Sequence, residues 1–98
     1  MTGVTVSPEA ARDIEAIVAT VTEESGPRRA DLLAERLIRA IARLADAPKS
    51  GRQRDDIRRG LRCIVIRPYV VLYRIDARCV RIIRVVHGAR DFRTLFGE

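Results

Sequence analysis

The residues of this chain that could carry chemistry lie in a run of arginines that ends near a single histidine. From Leu61 to Asp91 an apolar, β-branched stretch is interrupted by arginines and closes on Arg84-Val85-Val86-His87-Gly88-Ala89-Arg90-Asp91. An imidazole can act as a general base near neutral pH. Arginine binds phosphate or carboxylate through two parallel hydrogen bonds. These residue types predict either a surface that cleaves or binds RNA, or one that recognises an acidic protein.

Each of these residues also has a structural interpretation. His87 is the only histidine, and without a second histidine or a spaced carboxylate pair the sequence predicts no hydrolytic or metal site. Arg84 lies among apolar neighbours and needs an acceptor to offset its desolvation. The favoured acceptor is Asp91 or an acid of the first helix. Arg90 and Asp91 can also form a salt bridge that closes the turn after Gly88.

The cysteines and the chain start bear on cofactors and cellular location. Cys63 and Cys79 are the only cysteines and form no paired motif, so we expect free core thiols in a reducing compartment, with no metal and no cofactor. The first residues lack the basic and apolar regions of a signal peptide. Arginines interrupt every apolar run, so no membrane span is expected. We therefore expect a cytoplasmic protein.

Length and charge indicate one small domain with an anionic partner. The chain has 98 residues, which predicts a single domain over 1–98. Its 19 basic and 13 acidic residues give a net charge of +6. Residues 1–49 hold seven basic and eight acidic residues, a net charge of −1, whereas residues 50–98 hold twelve and five, a net charge of +7. The excess positive charge therefore lies in the second half.

Periodicity predicts an α+β fold with the element order β-α-α-β-β-β. A short strand at residues 4–6 precedes a helix that starts at Ser7-Pro8 and ends at Gly26-Pro27. A second helix is predicted from about Arg28 to Ala47, and Gln53 to Gly60 is polar and irregular or edge-like. Three strands follow, at Leu61–Arg67, Tyr69–Ile75 and Cys79–His87. Tyr73 is predicted to lie in the core. We expect an antiparallel sheet that packs on an N-terminal helical hairpin.

The last strands are apolar on both alternating faces. Ile64 and Ile66 oppose Cys63 and Val65, and the pattern repeats in the last strand. Only one face of the sheet can meet the helical hairpin. A partner chain or the C-terminal tail is therefore predicted to cover the other face.

The same residues resemble a known family, the RelE/ParE superfamily of toxins from type II toxin–antitoxin modules. The resemblance covers nearly the whole chain, and its ParE-like ending is the most specific part. The segments that carry it are Ala11-Arg12-Asp13-Ile14, Leu44-Ala45-Asp46-Ala47-Pro48-Lys49-Ser50-Gly51, Gly60-Leu61-Arg62, Tyr69-Val70-Val71-Leu72-Tyr73-Arg74 and the segment from Arg84 to Asp91.

The resemblance implies two possible functions on one fold, so the fold does not decide between them and individual residues must be compared. RelE-like members cut mRNA in the ribosome with a set of basic residues and proton-transfer groups. In this chain Ile64 and Val70 stand at two of the basic positions, and Phe92 and Phe96 stand where a catalytic tyrosine or histidine is usual. ParE-like members inhibit DNA gyrase, cut no RNA themselves, and are neutralised by a ParD-like antitoxin whose C-terminal segment orders on binding.

The resemblance predicts a ParE-like toxin that inhibits DNA gyrase, is not an enzyme, and forms a hetero-oligomer with its antitoxin. The alternative is a RelE-like mRNA endonuclease that uses Arg62, Arg90 and His87. A third possibility is a non-toxic nucleic-acid-binding or scaffold domain. The predicted partner-binding residues are Arg62, Arg84, His87, Arg90, Asp91, Phe92 and Phe96.

Overall fold

The computed structural model describes residues 2–88, which form two helices and five strands. The helices are α1 and α2, and the strands are numbered along the chain. Their bounds are β1 Gly3–Val6, α1 Pro8–Ser25, α2 Pro27–Arg43, β2 Arg52–Gln53, β3 Arg62–Ile66, β4 Tyr69–Asp76 and β5 Cys79–His87. None of the helices in residues 2–88 is long and apolar enough to cross a membrane.

Local signals set the helix ends. The Ser7 hydroxyl accepts a hydrogen bond from the Ala10 N–H at 3.0 Å, and Pro8 occupies the first helical position of α1. Gly26 has a φ of 89°, a conformation that costs glycine little, and it separates α1 from α2. Helix α2 ends at Arg43, earlier than predicted, because the chain turns over residues 44–46.

The sheet has the order β1-β5-β4-β3-β2. The predicted α+β class and the helical hairpin against a sheet are confirmed. The sheet is mixed, however, because β1 runs parallel to β5 while the other pairs are antiparallel. The polar segment before β3 contains the short strand β2, which pairs with Arg62 and Cys63.

The main core lies between the helices and one face of the sheet. Its fully buried members from the sheet include Val71 and Tyr73 of β4 with Val80, Ile82 and Val85 of β5. Ala10 of α1 and Leu33 and Leu37 of α2 pack against them. The predicted core position of Tyr73 is confirmed.

A second apolar cluster lies on the other face of the sheet. It joins Leu72, Val70 and Val86 to Ile57 and Leu61. The segment between β2 and β3 therefore covers part of this face. The prediction that a partner chain or the tail must cover this face was wrong for that part, because one isoleucine in a polar stretch gave no periodic signal.

An irregularity in β5 explains why its sequence is apolar at both phases. Leu72 pairs with Arg84, but Tyr73 pairs with Ile82, so Ile83 is an extra residue on β5. Such a bulge shifts the alternation of side chains along the strand. Ile82 and Val85 consequently both face the main core, whereas Ile83 packs against the second cluster.

Candidate functional site

The outer edge of β5 is completed by side chains of the helical hairpin. Strand β1 ends at Val6, whose partner is Ile82, so the next part of β5 lacks a neighbouring strand. The Ser7 hydroxyl donates to Ile83 O at 2.8 Å. The Asp13 carboxylate accepts from the Val85 N–H at 2.9 Å. These two side chains satisfy backbone groups that a longer β1 would otherwise bind.

The same carboxylate binds Arg84. The Arg84 guanidinium donates to Asp13 Oδ2 at 2.7 Å and to Asp13 Oδ1 at 3.0 Å, and both side chains are largely buried. Hydrogen bonding to Asp13 raises the pKa of Arg84 above its ordinary value. Of the two acceptors predicted for Arg84, Asp91 or an acid of the first helix, the structure shows the acid of the helix. Arg84 therefore joins α1 to β5.

Arg62 holds the loop that follows α2. Its guanidinium donates to Lys49 O at 3.1 Å and to Gly51 O at 2.8 Å. The Tyr73 hydroxyl donates to Pro48 O and accepts from the Gly51 N–H, both at 2.8 Å. A side chain at position 51 would clash with the Tyr73 ring and lie 2.8 Å from Cys63 O. The loop is thus fixed by a buried phenol and a half-buried arginine.

His87 lies at the exposed end of β5. Its ring meets the edge of Tyr69 at a centroid distance of 5.9 Å and an interplanar angle of 79°. The neighbouring Gly88 N–H donates to Pro68 O at 2.8 Å, which ties the end of β5 to the β3–β4 turn. Among the predicted site residues that the structure describes, His87 is the one with an exposed side chain.

The structure does not bring Arg62 and His87 together. Arg62 pairs with Tyr73, whereas His87 pairs with Tyr69 at the other end of β4. Four residues along a strand span about 13 Å, and β3 and β5 lie about 10 Å apart on either side of β4. Their backbones are thus too far apart for both side chains to meet at one scissile phosphate. Arg90, Asp91, Phe92 and Phe96 lie outside the described residues.

Three arginines on one face of α2 were missed by the sequence reasoning. Arg36, Arg39 and Arg43 line a groove beside β3, together with Val65 and Ile66. Charge totals for each half of the chain hid them, because acids elsewhere in the first half cancel their charge. Their spacing of three and four residues along a helix was the signal that could have found them. No group of side chains within residues 2–88 is arranged to hold a metal ion.

Comparison with known proteins assigns the chain to a family. The model of the ParE toxin of type II toxin–antitoxin systems, parDE, matches residues 4–92. This chain belongs to the ParE toxin family. It is 31% identical over 86 residues to Toxin ParE3 of Caulobacter vibrioides, an alignment that covers 88% of this chain and 86% of that toxin.

Two solved structures share the fold of this chain. A chromosomal ParDE toxin–antitoxin system from P. aeruginosa matches with a TM-score of 0.79 at 20% identity, over 89% of this chain and 96% of that one. The toxin–antitoxin complex RelBE2 from Mycobacterium tuberculosis matches with a TM-score of 0.53 at 24% identity, over 88% and 96%. The predicted membership of the ParE branch is confirmed by the family match.

The Asp13 carboxylate should dominate the stability of this ParE domain. We expect Asp13→Ala to lower the free energy of unfolding by about 3 kcal/mol, because Arg84 and the Val85 N–H both lose a charged acceptor. The measurement is urea denaturation. Glu15→Ala is the control, since Glu15 is exposed on the same helix, and it should cost under about 0.5 kcal/mol. Equal losses in the two variants would contradict the role given to Asp13.

The buried phenol of Tyr73 should make stability depend on alkaline pH. Burial raises the pKa of Tyr73 above its ordinary value. The protonated phenol is therefore favoured by folding, so its contribution is complete below the unfolded pKa of about 10 and is lost as pH rises through the folded pKa. Tyr73→Phe should be less stable than wild type by about 1–2 kcal/mol at neutral pH, and the difference should shrink above about pH 10.

The control for this experiment is Tyr69→Phe, which removes a hydroxyl from the same strand and leaves the Tyr73 phenol in place. Urea denaturation between about pH 7 and about pH 11 measures both variants. A Tyr73→Phe profile parallel to wild type throughout that range would show that the phenol does not carry the effect.

Proposed function

We propose that this chain is a toxin that inhibits DNA gyrase by binding it, and that a ParD-like antitoxin neutralises it. The observation that carries the proposal is the ParE family match over residues 4–92. The similarity to Toxin ParE3 of Caulobacter vibrioides supports the same branch.

The positions of the basic residues support binding over RNA cleavage. Arg62 and Arg84 direct their donors to internal acceptors. A cleavage site would need such charges aimed at the developing oxyanion of the substrate. Val70 is buried and Ile64 packs against the main core, so neither position offers a cation to a substrate phosphate.

The proposed toxic surface is the end of β5 together with the residues that follow it. His87 is exposed there, and Arg90, Asp91, Phe92 and Phe96 come next in the chain. Arg62 and Arg84 remain part of the proposed partner-binding set, but their role is indirect. Arg84 fixes the position of β5 through Asp13, and Arg62 fixes the loop after α2. Aromatic side chains are frequent anchors at protein interfaces, which suits the two phenylalanines.

An antitoxin partner is supported by the solved relatives. Both structures with the same fold are described as toxin–antitoxin systems or complexes. We propose a toxin–antitoxin hetero-oligomer for this chain as well, located in the cytoplasm where gyrase acts. The net charge of +6 favours association with an acidic segment.

The purified chain should inhibit gyrase supercoiling and leave translated mRNA intact, because the residues needed for cleavage are separated or internally bound. Its expression should arrest growth, and co-expression with a ParD-like antitoxin that binds it should restore growth. His87→Ala should weaken inhibition by about tenfold or more, whereas Glu24→Ala, on the exposed face of α1, should leave it unchanged.

Two outcomes would contradict this function. Ribosome-dependent mRNA cleavage without an effect on supercoiling would assign the chain to the RelE-like activity. Normal growth during expression, with no effect in either assay, would favour a non-toxic binding or scaffold domain.

A further inference from the structure

The face of the sheet turned away from the helices carries two arginines side by side. Arg74 of β4 is the direct partner of Arg81 in the register with β5. Residues directly opposite each other on antiparallel strands share a face, with Cβ atoms about 5 Å apart. Leu72, two residues before Arg74, belongs to the second apolar cluster. Because side chains alternate along a strand, both arginines lie on the face opposite the helices, and both are exposed.

This arginine pair is unfavourable within the free chain. Like charges directly opposite each other in a sheet are destabilising. Arg74 forms an ion pair with Asp76 at 3.1 Å, in which both side chains are about half exposed. Arg81 makes no hydrogen bond or ion pair with another residue of 2–88. An anion from outside the domain would therefore bind a charge that has no partner in the described part of the chain.

The segment between β2 and β3 adds further arginines to the same face. Ile57 anchors this segment to the second apolar cluster, so the segment that carries the exposed Arg59 lies over this face. Arg59, like Arg81, has no hydrogen bond or ion pair within residues 2–88. Arg52 of β2 pairs with Cys63, a member of the cluster, and so lies on this face as well.

The cations on this side of the sheet outnumber the acids. Three aspartates accompany them: Asp56 forms an ion pair with Arg54, Asp76 forms one with Arg74, and Asp55 accepts from the Gly60 N–H. Six arginines and three aspartates give a net charge of 6 − 3 = +3. We call the arginines together the outer basic face, which consists of Arg52, Arg54, Arg58, Arg59, Arg74 and Arg81.

The outer basic face is separate from the proposed toxic surface. Arg74 pairs with Arg81 near one end of β4 and β5, whereas Tyr69 pairs with His87 at the other end. Five residues along a strand span about 16 Å. A ligand on the outer basic face therefore leaves His87 accessible.

The surroundings of these arginines disfavour a protein as the ligand. Protein interfaces are usually anchored by apolar or aromatic side chains near their centre. The large apolar side chains that are exposed in the described residues are Val6, Leu32, Ile38 and Val65. Of these, Val65 lies on the outer side of the sheet, and its partner Val70 is four residues from Arg74, a distance of about 13 Å. No such anchor of residues 2–88 lies beside Arg74 and Arg81.

The position of the aromatic rings disfavours a single-stranded nucleic acid. Single strands bind largely by stacking their bases on aromatic side chains. Tyr73 and Tyr69 both pack with the main core, on the other side of the sheet. Duplex DNA needs no such stacking, because it presents its phosphates outward, with one negative charge per about 1.7 Å of its axis. Each guanidinium can bind a phosphate through two parallel hydrogen bonds.

We propose that the outer basic face binds the phosphate backbone of duplex DNA without reading its sequence. Phosphate contacts position a protein on a duplex but carry no sequence information. Arg59 and Arg81 supply the two charges that have no partner within residues 2–88. The consequence for gyrase, that the bound chain is concentrated on the DNA on which the enzyme acts, rests on the proposed function. The binding itself does not.

Neutralisation of the two unpaired arginines tests this face. Fluorescence anisotropy with a short labelled DNA duplex of mixed sequence should give a Kd of about 10 µM or tighter for wild type at about 0.05 M salt. Arg59→Gln/Arg81→Gln should bind about tenfold more weakly or worse. The matched control is Arg28→Gln/Arg29→Gln, which changes the net charge equally at exposed positions of α2 and should stay within about twofold.

Stability distinguishes a lost contact from a damaged fold. Arg81→Gln removes one member of the like-charged pair, so urea denaturation should show a domain no less stable than wild type. A loss of DNA binding in a variant that keeps its stability then reports on the surface itself.

Salt dependence counts the phosphate contacts independently of absolute affinity. The logarithm of the binding constant falls with the logarithm of salt concentration by about 0.9 per phosphate contact. The slope for Arg59→Gln/Arg81→Gln should therefore be shallower than that of wild type by about 2. Arg36→Gln/Arg39→Gln, in the row of arginines on α2, should keep the wild-type slope.

The outcomes separate this inference from the proposed function. A wild-type chain that inhibits supercoiling but does not bind duplex DNA would overturn the inference alone. A chain that binds DNA through this face but has no effect on gyrase would refute the proposed function alone. Equal losses in all three double variants would show diffuse attraction by net charge and no defined face. Tighter binding of single-stranded DNA, duplex RNA or polyglutamate than of duplex DNA would also overturn the inference, because it would assign the face to another anion.

Discussion

The hydrogen bonds of the Asp13 carboxylate join the two layers of this fold. One oxygen accepts from both the Val85 backbone and the Arg84 guanidinium, and the other accepts a second bond from Arg84. Strand β1 is too short to reach this part of β5, so α1 supplies the missing acceptor from its second turn. The bulge at Ile83 then places Arg84 next to α1 while Val85 returns to the core. The Asp13 side chain consequently couples the position of α1 to the alternation of side chains in β5 and to the position of that strand.

A second polar network fixes the position of the loop after α2, as Asp13 fixes the position of β5. Tyr73 is fully buried in the main core, yet its hydroxyl reaches Pro48 and Gly51, and Arg62 binds the same loop through Lys49 O and Gly51 O. Buried polar groups cost free energy unless each finds a partner, and these networks leave no buried side-chain polar atom of residues 2–88 unsatisfied. Arginines that the sequence offers as candidate phosphate ligands therefore bind acceptors within the domain and stabilise its fold. This is why residue type alone overestimates the chemistry of the strand arginines.

The elements of this fold were predictable to the extent that local chemistry defines them. Ser7, Pro8 and Gly26 determine helix ends through capping and backbone geometry, and the β3–β5 hairpins follow from alternation and turns. The parallel pairing of β1 and the contribution of Ile57 were not predictable, because both depend on how distant segments return to the sheet. The partner of Arg84 could be narrowed to Asp91 or an acid on helix one, but the choice of Asp13 required the bulge register. The arginines of α2 were missed because the net charge of each half of the chain sums over all faces of a helix. Only the folded helix shows that these arginines share one face.

The two sides of the sheet differ in a way that bears on partner recognition. At β5 the chain closes its own edge, with Ser7 and Asp13 in place of a strand, and the adjacent cation is bound within the domain. At β3 the short strand β2 stops at Cys63, so Val65 keeps open backbone groups beside arginines with weak partners. A sheet edge left open beside a row of like charges resists self-pairing, because a second copy would repeat the same charges. The positive charge at this edge therefore disfavours pairing with identical chains.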